Sequence, residues 1–254
     1  TSGNMESIWV MQLEYDTNGG GGKYEDWTKR AWVPKYWNET GFTLCDSLGG
    51  RGLAQIVPFK WWIDEDGFYT ANDVRNSKYN IKRTWYYNNP ETPELLGKEA
   101  PVTESTWSKC TIYPVITKFF YGKTDDSPSY EGNNKDRMKF RLAETYLLLA
   151  EARIRQNNAS GAAEAINVVR KRAGAPDITA SQATMDFLLD ERIRELVGEE
   201  LRRLTLVRTG KLVERTRKYN SYSSEIDEHN TLWPIPQTII DSNTGAEFPQ
   251  NPGY

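Results

Sequence analysis

Residues 190–209 read Asp190-Glu191-Arg192-Ile193-Arg194-Glu195-Leu196-Val197-Gly198-Glu199-Glu200-Leu201-Arg202-Arg203-Leu204-Thr205-Leu206-Val207-Arg208-Thr209. Leu189, Ile193, Leu196, Val197, Leu201 and Leu204 recur at helical spacing. The spacing predicts one helix from about Thr184 to Val207, with these residues turned inward. The charged positions alternate in sign and are expected to form a solvated face. On such a face the i,i+4 pair of Glu199 and Arg203 contributes only a few tenths of a kcal/mol.

Upstream, Leu142, Tyr146, Leu149, Ala150 and Ile154 mark a helix over Lys139 to Gln156, ended by Asn157-Asn158. Asn158 or Ser160 can cap the next helix, whose stripe is Ala162, Ile166, Val169 and Ala173 and which Gly174 and Pro176 stop. Small residues (Ala143, Ala150, Ala152, Ala163, Ala165) stand where the two helices would approach. The pattern is that of one tetratricopeptide-type hairpin. A single hairpin cannot bury its own face and needs neighbours.

Residues 1–138 read differently. Eight of the nine Trp lie there, among glycine runs (Gly19 to Gly22, Gly49-Gly50-Arg51-Gly52) and prolines. Met5 to Tyr15 is apolar on both faces and is expected to be a buried strand. Pro58 to Ile63 (PFKWWI), if extended, puts Trp61 and Trp62 on opposite faces. Asn72-Asp73-Val74-Arg75 has the form of a capped turn, and Tyr79 to Tyr87 and Ile112 to Tyr121 are strand-like. Residues 88–109 look like loop, with Pro90, Pro93 and Pro101.

Composition narrows the function. The chain has 254 residues, one His and two Cys, which excludes multi-histidine metal centres and Cys₄ sites. A net charge of −3 offers no strong field for nucleic acid. Gly-Gly-Gly-Gly-Lys23 is not a phosphate loop, because no Ser or Thr follows the lysine. No apolar run approaches the ~18 residues that span a bilayer, and no leader or lipid-acceptor Cys opens the chain at Thr1. Asp64, Glu65 and Asp66, or Asp125 and Asp126, could serve as glycosidase carboxylates, but read more simply as solvated acidic turns. Cys45 and Cys110 could pair in an oxidising compartment. Trp233 and His229 are expected in the core and in a surface loop respectively.

The segment Asp190 to Leu196, followed by Glu199, Arg202 and Leu206-Val207-Arg208-Thr209-Gly210, resembles the signature helix of the SusD/RagB family, outer-membrane nutrient-binding lipoproteins of Bacteroidetes. Arg141-Leu142-Ala143-Glu144-Thr145-Tyr146-Leu147 is similar to the family's tetratricopeptide helix, and Ala165-Ile166-Asn167-Val168-Val169-Arg170 to its partner. Leu232-Trp233-Pro234-Ile235-Pro236 and Gln250-Asn251-Pro252-Gly253-Tyr254 resemble its closing motifs, Asn72 to Arg75 its Asp-Pro-Arg turn, and Glu6-Ser7-Ile8-Trp9 a strand of its middle region. The resemblance is clear over 139–254 and loose over 1–138. Gly198, Glu200 and Thr205 stand where Phe, Gly and Asp are more usual.

The resemblance implies a mainly α, SusD-like fold. A tetratricopeptide-type hairpin and a C-terminal helix would pack against an irregular, loop-rich region with short strands. It implies a ligand-facing variable region over 1–138, a helical region over 139–254, and that the chain is the C-terminal portion of a longer, lipid-anchored protein. It also implies a binding protein rather than an enzyme, without cofactor, metal or nucleic acid. Such a protein takes a glycan at the cell surface and passes it to a SusC-like TonB-dependent transporter. A peptide ligand, or a tetratricopeptide-type protein scaffold, is the other reading. Aromatic rings stack on pyranose faces while polar groups bind hydroxyls. The expected ligand-binding residues are therefore Trp27, Trp32, Tyr36, Trp37, Trp61 and Trp62, with Lys35, Asn38 and Arg51 as nearby polar candidates.

Overall fold

The computed structural model describes residues 3–14, 17–18, 28–64, 67–120 and 135–254. They form two compact units, Thr1–Glu199 and Glu200–Tyr254. The compositional boundary at 138/139 lies inside the first.

The first unit runs β1 (Ser7–Met11), α1 (Thr28–Trp32), α2 (Lys60–Ile63), β2 (Ile81–Lys82), β3 (Trp85–Tyr86), β4 (Glu99–Ala100), α3 (Glu104–Ser108), β5 (Val115–Ile116), β6 (Arg137–Arg141), α4 (Leu142–Arg155), α5 (Ala159–Arg172) and α6 (Met185–Leu196). The strands pair antiparallel as β1 with β6, β2 with β5 and β3 with β4. The two strand-like runs contribute only short pairs, with Ile81 opposite Ile116 and Lys82 opposite Val115. Elsewhere the loop-rich region is held by turns around an aromatic core.

Helices α4 and α5 form the expected hairpin. Asn157 takes the left-handed conformation, and the amides of Asn157 and Asn158 return to the carbonyls of Ile154 and Arg153. The Asn158 side chain then accepts from the Gly161 amide at 2.9 Å, capping α5. All four stripe residues of α5 are buried. In α4 the buried face is Ala143, Leu147 and Ala150, while Leu142 and Leu149 are exposed, so the stripe is rotated from the expected one. Small residues set the face because Ala143 and Ala150 let the backbones approach, as larger leucines would not.

The predicted long third helix is two helices. Helix α6 starts at the cap Thr184, whose hydroxyl accepts from the Phe187 amide at 3.2 Å, and ends at Leu196. Gly198 has φ +76, a conformation that disfavours any side chain. A Cβ there would lie 2.5 Å from the Phe119 ring and 3.1 Å from Trp32. The left-handed backbone at Gly198 marks the break between the two helices.

The expected buried strand is also corrected. In β1, Ile8 and Trp9 are exposed, and Trp9 (57 % exposed) stacks on Phe140 of β6 with ring centres 5.7 Å apart. Among the described residues the strand pairs only with β6, and its Ser7, Val10 and Met11 are half-buried. Segment Lys60–Ile63 is a helical turn rather than an extended strand, so Trp61 and Trp62 are not on opposite faces of a sheet.

The second unit contains α7 (Arg202–Arg208), α8 (Leu212–Tyr219) and α9 (Gln237–Ser242). The Gly210 and Lys211 amides close α7 on the carbonyls of Val207 and Leu206. Leu201 and Leu204, expected inward, are exposed, because the new helix starts at Arg202 with its own phase. Trp233, expected in the core, is 64 % exposed and lies beneath the Arg203 guanidinium at 4.4 Å. His229 lies in a surface turn, as expected, with Asp227 against its Nδ1.

Candidate functional site

The aromatic residues of the first unit divide by burial. Trp32, Tyr36 and Trp62 are buried, so these three expected ligand contacts are core residues. The Tyr36 hydroxyl accepts from the Cys45 amide at 3.1 Å and donates to its carbonyl at 3.2 Å. Its ring stacks on Trp85, whose indole N–H donates to Tyr113 O at 3.1 Å. Tyr113 in turn donates to Trp32 O at 3.2 Å. Each tip is satisfied inside, so the rings can be buried whole. Burial also pushes the Tyr36 and Tyr113 phenols well above their usual range. Trp27 lies outside the described residues.

Trp37 and Trp61 are half-buried and keep part of the ring at the surface. Trp37 follows Tyr36 in a single 3₁₀ turn and packs against the edge of the same core, with part of its ring at the surface. Its indole N–H donates to Gly52 O at 3.1 Å, and Arg51 lies 5.5 Å from the ring centre. Gly52 is needed there, since a Cβ would fall 2.2 Å from Val33 O. Trp61 meets Phe68 edge to face at 5.3 Å. Its neighbour Lys60 lies 5.2 Å from the centre of the half-buried Trp107 ring and pairs with Glu104. Trp107 belongs to α3, held by reciprocal capping of Thr103 and Thr106. Sequence reasoning missed Trp107 because the prolines around it read as loop. The Thr103-x-x-Thr106 spacing was the signal.

The second feature is a buried ion network where α6 was expected to be solvated. Glu191, Arg192 and Glu195 are all buried. The turn at 73–76 is tied to the end of α5 by the Val74 amide on Ala173 O at 2.9 Å. That contact aims Arg75 at α6. The guanidinium reaches Asp73 at 2.7 Å, Glu191 at 2.9 Å and Glu195 at 3.0 Å. Arg170 and Arg194 also reach Glu191, at 2.8 and 2.9 Å. Arg141 bridges Glu195 at 2.6 Å, Glu6 at 2.8 Å and Glu199. Burial by itself would raise the Glu195 carboxyl, but Arg141, Arg172 and Arg75 outweigh it and hold the group below the usual carboxylate range. Lys118, facing Glu199, is pulled down by its burial.

Beside this network opens a cavity of about 510 Å³ in the first unit, lined by Tyr69, β6 and the ends of α5 and α6. Among the described residues no group of His, Cys, Asp and Glu could hold a metal ion. Asp64 is exposed, while Glu65, Asp66, Asp125 and Asp126 lie outside the described residues. Cys45 and Cys110 are separate thiols: Cys45 lies 3.2 Å from the Ser47 hydroxyl, and Cys110 faces Ser108 O.

A tetratricopeptide-type hairpin, a charged clamp on α6 and an aromatic loop region together make up the first unit. The SusD family pattern matches residues 5–254, and the chain belongs to that family. It is 31 % identical over 141 residues to the SusD-like protein P25 of Formosa agariphila, covering 52 % of this chain and 27 % of that protein. It is 36 % identical over 122 residues to the starch-binding protein SusD of Bacteroides thetaiotaomicron, covering 45 % of this chain and 21 % of that protein. The structure of surface glycan-binding protein A from Bacteroides thetaiotaomicron, solved in complex with laminarihexaose, superposes with a TM-score of 0.64 at 25 % identity. That superposition covers 97 % of this chain and 52 % of the other, so this chain spans about half its length. Among the described residues no helix is long and apolar enough to cross a membrane.

Proposed function

We propose that the chain is part of a cell-surface protein that binds oligosaccharide or polysaccharide and delivers it to a TonB-dependent outer-membrane transporter, without cleaving it. The observation that carries the reading is the SusD-family match over residues 5–254, supported by the likeness to a laminarihexaose-binding relative. Within the chain, Trp37, Trp61 and Trp107, which pack against the core but keep part of each ring at the surface, are the stacking surfaces of this reading. Trp27 stays a candidate, while Trp32, Tyr36 and Trp62 act as packing beneath these surfaces. Arg51 beside Trp37 and Lys60 beside Trp107 supply donors for sugar hydroxyls at the ring edges. Anchoring at the cell surface would be through a covalently attached lipid.

The test is affinity electrophoresis and calorimetry with laminarihexaose and with maltooligosaccharide. Trp37→Ala and Trp61→Ala should each weaken binding by about 1–3 kcal/mol, the range for a ring stacked on a ligand, with the thermal midpoint little changed. Chromatography of the recovered sugar should show no shortened chains. Undiminished binding in both variants, or shortened chains, overturns the reading. Mixing with the purified transporter in detergent should give a complex on size exclusion.

A further inference from the structure

An ion pair joins the two helical turns that carry Trp61 and Trp107. Lys60 opens α2 directly before Trp61, and Glu104 opens α3 one turn before Trp107. Their side chains meet across 44 positions of sequence. The same Lys60 ammonium lies 5.2 Å from the centre of the Trp107 ring. Each ring has its own seat on the core: Trp61 sits edge to face on Phe68 at 5.3 Å, and Trp107 lies 6.0 Å from the fully buried Tyr113 ring. The pair contributes little to the fold. The Glu104 side chain is 85 % exposed, and an exposed pair is screened by water. Helix α3 already has its reciprocal cap at Thr103 and Thr106. What the pair does is fix a lysine. An untethered Lys60 would sweep many rotamers, whereas the Glu104 carboxylate keeps its ammonium beside the Trp107 ring.

We infer that Glu104 is a positioning residue for glycan binding, fixing through Lys60 the Trp107 ring relative to the α2 turn that carries Trp61. A ring and a donor already held in place meet the ligand without the cost of ordering them on binding. Lys60 donates one N–H to Glu104 and keeps its others for sugar hydroxyls at the ring edge. The inference rests on the reading of Trp61 and Trp107 as glycan-stacking surfaces. It adds that a residue with no ring and no part in stacking sets how well they work.

The test is calorimetry of the 254-residue chain with laminarihexaose and with maltohexaose, at low and at high salt. Glu104→Gln keeps the size of the side chain and removes its charge. At low salt it should weaken binding about two- to fivefold, with the thermal midpoint unmoved. High salt should weaken the unmodified chain by a similar factor and leave the variant unchanged, since both sugars are neutral and only the unmodified chain has a pair to screen. In a Trp107→Ala background Glu104→Gln should have no further effect, because it acts through that ring. Affinity unchanged or raised by Glu104→Gln at low salt overturns the inference, as Lys60 would then be a donor for which Glu104 only competes. An equal loss in the Trp107→Ala background overturns it too. If the unmodified chain binds neither sugar, the glycan reading falls and this inference with it. If it binds and Glu104→Gln changes nothing, this inference alone falls.

Discussion

Glu195 shows how much one residue depends on where its neighbours are placed. On a solvated helix it would titrate normally and pair weakly. Buried among Arg141, Arg172 and Arg75, it is held below the usual carboxylate range. Its native value lies below its unfolded one, so the stabilisation is present above the ordinary carboxylate pKa and is lost as pH falls through the depressed value. Urea midpoints measured against pH should therefore drop on the acid side, and Glu195→Gln should flatten that limb while lowering stability at neutral pH. Gly198 makes a different point. Gly198→Ala introduces a Cβ 2.5 Å from Phe119 at φ +76. It should cost about 2 kcal/mol or more in urea unfolding; a neutral result would mean that Phe119 moves freely.

At the scale of elements, Arg75 clamps a short turn onto α6, and the hairpin rests on small residues. Arg75→Ala removes the guanidinium shared by Asp73, Glu191 and Glu195. It should destabilise the fold by about 3–5 kcal/mol, because buried carboxylates lose a partner rather than regain water. Leu147→Ala, in the interface of α4 and α5, should cost about 2–5 kcal/mol. Leu149→Ala, on the exposed side of the same helix, should stay within about 1 kcal/mol. The reverse order would show that α4 has the register its leucines suggest. Helix α5 was legible because its apolar and small residues coincide on one stripe. Helix α4 was legible as a helix but its buried face was not, since leucines occur on several of its faces and only the partner helix selects among them. The α6 break was unreadable because Gly198 interrupts a pattern that continues in phase on paper.

Across the whole molecule, the aromatic residues divide between packing and display. Trp85→Ala should cost about 3–5 kcal/mol of stability. Trp9→Ser, at a ring 57 % exposed, should cost under about 1 kcal/mol and leave the unfolding cooperative. The sequence by itself determined the mainly helical character, the tetratricopeptide-type hairpin, the capped turn at Asn72 to Arg75 and the family to which these belong. Those features rest on local spacing and capping, which act over a few residues. Tertiary structure alone decided which Trp rings are buried and that the charges of α6 form a core network. Burial and charge pairing are properties of contacts between distant segments. Arg75 meets Glu195 across 120 positions of sequence, and no local pattern records that meeting.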